Sequence, residues 1–106
     1  MRFGPWQPLA DLAQIAPAVP GVLQVRGDAL HVFPRGKSAM ILYAASPPDE
    51  TLQTFVQTLG AEALARARTL GALYVRFGES ANPAGDLTRL LDQFQERFGG
   101  LPPANS

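Results

Sequence analysis

The sequence predicts one α+β domain over residues 1–106: a small, mostly antiparallel sheet flanked by helices. Strand-like runs cluster within residues 22–45, ahead of two helical patterns. One further alternating run follows at residues 72–77, and then a long amphipathic helix that stops at Gly99-Gly100. The 106 residues, 46% hydrophobic and 17% charged, suffice for one packed core but not two.

Residues 9–15 read as a short helix, stopped by Pro17 and Pro20. Residues 22–26 read as a strand, Gly27-Asp28 as a turn and residues 29–33 as the return strand of a hairpin. Pro34-Arg35-Gly36-Lys37-Ser38 is a basic turn, and the almost wholly apolar residues 39–45 predict a strand buried on both faces. Ser46 is placed to cap the next helix, with Pro47 at its first position and Asp49 three residues after the cap. That helix buries Leu52, Phe55, Val56 and Leu59 at spacings of three and four. Gly60 ends or kinks it, and residues 61–70 form another helix closed by Gly71. In residues 72–77, alternation sends Leu73, Val75 and Phe77 to the core and Tyr74 and Arg76 to the other side. Asn82-Pro83 opens the last helix, whose buried stripe is Leu87, Leu90, Leu91, Phe94 and Phe98. Residues 1–8 and 102–106 are expected to fray.

Composition narrows the function classes. Nine basic residues balance nine acidic ones, so no global field draws the chain to nucleic acid or an anionic membrane. The absence of cysteine excludes disulfides, thiolate chemistry and sulfur-ligated metal. Prolines and Asp11 stand near the start, where a secretory leader needs an apolar block. No apolar run approaches the roughly 20 residues that span a bilayer. A cytoplasmic protein without a membrane partner is the expectation.

Four segments carry a family resemblance through their order. Pro20-Gly21-Val22-Leu23 resembles the "GIY" strand of the GIY-YIG nuclease domain, with Leu23 where that family has tyrosine. Leu42-Tyr43-Ala44-Ala45-Ser46 resembles its "YIG" strand, keeping the tyrosine as Tyr43 but replacing the glycine with Ala45. Phe55 stands at the position of the family's helix arginine. Asp86 is the acid nearest the metal-binding glutamate at the start of the last helix, and Asn105 matches the asparagine after it. The resemblance covers about residues 20–105 and implies a GIY-YIG-like fold. In that family a tyrosine is or activates the base, arginine steadies the phosphate and glutamate holds one divalent metal. Leu23 cannot exchange a proton and Phe55 cannot clamp charge, so the resemblance implies a domain that has lost phosphodiester hydrolysis. The expectation is then a binding or interaction module without a cofactor, with nucleic acid or a protein as partner. A divergent nuclease using Mg2+ is the rival, and a protein–protein module or homodimer is the third reading.

The candidate residues follow from both lines. Tyr43 and Asp86 are the catalytic candidates, and Asp86 and Glu79 the metal candidates. Packing under a helix accounts for Tyr43 equally well, and the helix dipole accounts for Asp86. Arg35, Lys37, Tyr43, Tyr74, Arg76 and Asn105 are the candidate ligand or phosphate contacts. A solvated turn is the plain alternative for Arg35 and Lys37, and cross-strand packing for Tyr74 and Arg76. His31 is the sole histidine and supports neither a triad nor a zinc site. Trp6 is expected to close over the core or to anchor an interface.

Overall fold

The computed structural model describes residues 1–58 and 60–106. In chain order the elements are β1 (Gln7–Pro8), α1 (Leu12–Ile15), β2 (Gly21–Phe33), β3 (Gly36–Ala45), α2 (Leu52–Gln57), α3 (Gly60–Thr69), β4 (Tyr74–Glu79) and α4 (Pro83–Phe98). Short 3-10 turns lie at Leu9–Asp11 and Pro103–Asn105. The four strands form one antiparallel sheet in the order β1-β4-β2-β3. The fold is α+β, as the pattern of elements predicts. Among the described residues, no helix is long and apolar enough to cross a membrane.

Alternation along the strands splits the sheet into two unlike faces. Leu23, Val25, Leu42, Ala44, Val75 and Phe77 meet Leu9, Leu12, Leu52, Phe55, Val56 and Leu64, so α1, α2 and α3 cover one face. The opposite face receives α4, and there Tyr43, Phe33, Phe94 and Phe98 form an aromatic cluster. Ring centroids are 5.8 Å apart for Tyr43 and Phe94, and 5.3 Å for Phe33 and Phe94. Helix α4 lies against β3 and β2, leaving the β4 half of that face without a helix. Its stripe is only half-buried at Leu87, Leu90, Leu91 and Phe98, with Phe94 alone fully covered, because one helix roofs part of a sheet.

Several local expectations are corrected. Gly27-Asp28 is no turn: β2 runs unbroken for 13 residues, and the chain reverses at Pro34-Arg35. The register with β3 slips between Arg26 and His31, so residues 27–30 form an extended bulge. Glycine is needed at 27 for close approach, since a Cβ there would lie 2.4 Å from the Gly71 carbonyl oxygen. Ser46 does not cap a helix. Its buried hydroxyl accepts from the Gly21 amide at 3.0 Å, tying the end of β3 to the start of β2. Asp49 takes a left-handed φ of 65°, and Thr51 caps α2 instead, its hydroxyl accepting from Thr54 N–H at 3.2 Å. Leu52, Phe55 and Val56 are buried as their spacing predicts, and Leu59 lies outside the described residues. Leu73 precedes β4 and is 47% exposed, rather than sharing the core with Val75 and Phe77.

Neither end frays as expected. The Gly4 amide donates to the Phe77 carbonyl at 2.9 Å, and Gln7 pairs with Val75. At the other end Pro102 is fully buried and Asn105 is bound to β3. The start and stop of α4 follow their local signals. The Asn82 side chain accepts from Gly85 N–H at 3.2 Å, Pro83 opens the helix, and Gly99 closes it with a left-handed φ of 81°.

Candidate ligand-binding face

On the α4 side of the sheet, β2 presents Gln24 and Arg26 at alternate positions, as a strand must. The register sets Gln24 between Tyr43 on β3 and Arg76 on β4, and sets Arg26 opposite Tyr74. The arm before β1 runs beside β4 and brings Phe3 and Trp6 to the same place. The Arg76 guanidinium carbon lies 4.5 Å from the Trp6 ring centroid and 4.9 Å from that of Phe3. The Arg26 guanidinium lies 4.9 Å from the Trp6 ring and 5.4 Å from the Tyr74 ring. Two cations and three aromatic rings therefore interleave on the half of the face that α4 does not roof.

Few polar groups answer those cations. Arg76 Nε donates to the buried Gln24 carboxamide oxygen at 2.6 Å. Among the described residues, Arg26 Nε is buried without a hydrogen-bond partner, and neither Arg26 nor Arg76 forms an ion pair with a carboxylate. Desolvation pushes the Arg76 pKa down; the Tyr43 phenol works against this and the Arg26 charge adds to it. Burial likewise pushes the Tyr43 phenol up, partly offset by the Arg76 charge. Both guanidiniums are held by rings that attract cations weakly. The result is a half-exposed positive patch with an aromatic border on a chain of zero net charge.

The sequence candidates separate accordingly. Tyr43, Tyr74 and Arg76 share this face, Tyr43 at its buried margin under Phe94. Lys37 is exposed six residues further along β3, about 20 Å away at the rise of a strand. Arg35 Nη2 donates to the carbonyls of Gln95 at 3.0 Å and Glu96 at 2.6 Å, closing the C-terminal end of α4. Asn105 spends its carboxamide on the Tyr43 backbone. Asp86 accepts from the Ser80 hydroxyl and pairs with Arg89, which ties down the start of α4, while Glu79 is exposed at the end of β4. Among the described residues no three His, Asp or Glu side chains gather. His31 pairs with Ser38 on the hairpin, its Nε2 buried without a partner among the described residues.

Arg26, Gln24 and Phe3 are members of the patch that sequence reasoning passed over, and Trp6, expected to close over the core or to anchor an interface, lies among them. Alternation within residues 22–26 places Gln24 and Arg26 on one face, so that signal was present. Nothing local announced that the arm would reach them. Leu23 and Phe55 are buried together in the core beneath α2, on the opposite face of the sheet from Tyr43. Comparisons with protein-family models, with characterised proteins and with solved structures find no match.

Proposed function

We propose that this protein is a binding module that does not cut phosphodiester bonds, and that it takes single-stranded nucleic acid on the open half of the α4 face. The observation that carries the reading is the pair Arg26 and Arg76, set among Phe3, Trp6 and Tyr74 without a carboxylate partner among the described residues. Guanidiniums contact phosphate while aromatic rings stack with any base, a combination suited to unpaired strands. Neutral overall charge and a narrow patch argue for a short footprint and weak, salt-sensitive affinity. The GIY-YIG likeness enters only as a fold-level analogy with its chemistry gone: Leu23 and Phe55 offer no reactive group, and Tyr43 is only 8% exposed. The test is a titration of isotope-labelled protein with short single-stranded oligonucleotides, followed by amide shifts. Shifts confined to β2, β4 and the arm before β1 support the reading, and an unchanged spectrum at millimolar oligonucleotide overturns it.

One observation favours a protein partner instead. Leu30 and Val32 are 62% and 78% exposed on the outer part of β2, an apolar pair on the side away from Phe33. A concentration-dependent mass in solution that falls in Val32→Lys would favour that reading.

A further inference from the structure

We propose that Arg26 and Arg76 together seat the phosphate monoester of a nucleotide, either free or at the end of a single strand. This rests on the reading above and names the ligand chemistry of that same face. The two arginines occupy diagonal positions on neighbouring antiparallel strands, since Arg26 pairs with Tyr74 and Arg76 with Gln24. Both border the same ring, their guanidinium carbons 4.9 Å and 4.5 Å from the Trp6 centroid.

Charge matching selects the monoester. Two arginines without a carboxylate carry two positive charges, and a phosphate monoester carries about −1.5 to −2 at neutral pH. An internal diester carries one negative charge and leaves the second cation uncompensated beside low-dielectric rings. Arg26 Nε, buried and lacking a partner among the described residues, is the donor that a bound oxygen would satisfy. Gln24 already holds Arg76 through Nε, and the remaining N–H groups of that guanidinium have no hydrogen-bond partner among the described residues. The walls limit the rest of the ligand. Helix α4 covers β3 and part of β2, and the arm with Phe3 and Trp6 borders β4 from the other side, leaving the strip where β2 meets β4. Two strands at about 5 Å spacing give width for one nucleotide, whose base meets Tyr74 or Trp6.

Trp6 is the only tryptophan, so its emission reports on the site in the intact chain. The experiment titrates the protein with a nucleoside 5′-monophosphate, the matching nucleoside, inorganic phosphate, and one short single strand with and without a 5′-phosphate. The expected result is saturable change with the monophosphate and the phosphorylated strand, and affinity lower by about tenfold or more in Arg26→Gln and in Arg76→Gln. Arg97→Gln, which alters the far end of α4, should bind as the parent does. If a variant does not fold, the side-chain Nε–H resonances of Arg26 and Arg76 in the parent must shift on adding the monophosphate. Equal affinity for both strands, or static Nε–H resonances, overturns the monoester seat while leaving strand binding intact. Absence of any response to the strands and to the monophosphate overturns both. A response to the monophosphate alone overturns strand binding and assigns the seat to a free nucleotide, and a response to the phosphorylated strand alone assigns it to the strand end.

Discussion

The Asn105 carboxamide binds both backbone groups of Tyr43: its oxygen accepts from the Tyr43 amide at 2.8 Å, and its nitrogen donates to the Tyr43 carbonyl at 2.8 Å. Strand β3 is an edge of the sheet, and one side chain here supplies what a further strand would. The chain's last residues are held by this contact and by buried Pro102.

Asn105→Ala should therefore destabilise the fold, by roughly 1–3 kcal/mol for two lost hydrogen bonds at a half-buried edge. Thermal unfolding would register a lower midpoint, and hydrogen exchange at the Tyr43 amide should accelerate more than at Val25. An unchanged Tyr43 exchange rate would show the contact to be incidental.

Phe55→Ala should cost about 3–5 kcal/mol, because its ring is buried between α2 and the sheet core. Denaturant titration measures this directly. A change below about 1 kcal/mol would mean that the site collapses around the missing ring or that the ring is not buried.

The Tyr43 phenol gives stability a dependence on alkaline pH. Burial raises its folded-state pKa above the ordinary 10.0, so the folded protein holds that proton more tightly than the unfolded chain. Its contribution is fully present below pH 10 and is lost as pH rises through the raised folded value. Comparing the parent with Tyr43→Phe by chemical denaturation across pH 9–11.5 should show a steeper alkaline loss in the parent. Identical slopes would remove Tyr43 as the cause.

Placing a tyrosine at position 23 should not create cutting. Leu23→Tyr would force a larger polar ring into a fully buried position on the face opposite Tyr43, costing roughly 1–3 kcal/mol by overpacking. The variant, like the parent, is expected to release no product from single-stranded or duplex substrates with magnesium or manganese. Metal-dependent cleavage by the parent that vanishes in Tyr43→Phe would reverse the proposal in favour of a nuclease.

Arg35→Ala should loosen the end of α4 without touching the ligand face, because its guanidinium binds the Gln95 and Glu96 carbonyls. The cost should be about 0.3–1 kcal/mol, the range for a cation at a helix C-terminus. Amide exchange should quicken at Phe98 and Gly99 while oligonucleotide binding stays the same.

Patterns of short range decided much of this protein in advance. The periodicity of Leu52, Phe55 and Val56 set a helix face, the pair Asn82-Pro83 set the start of α4, and Gly99 set its end, because each depends on residues within one or two turns. Alternation from Val22 onward already divided Leu23 and Val25 from Gln24 and Arg26. Only the tertiary structure decided what those polar residues meet. Gly27 proved to be a point of close approach to Gly71 rather than a turn, and Ser46 a clasp on Gly21 rather than a cap. Local signals cannot distinguish such uses when the partner is 25 or more residues away. The ligand face is the strongest case: Arg76 reaches Gln24 across 52 positions, and Trp6 reaches Arg76 across 70 while also bordering Arg26. Strand register and the path of the arm bring these groups together, and both are set by the packing of the whole sheet.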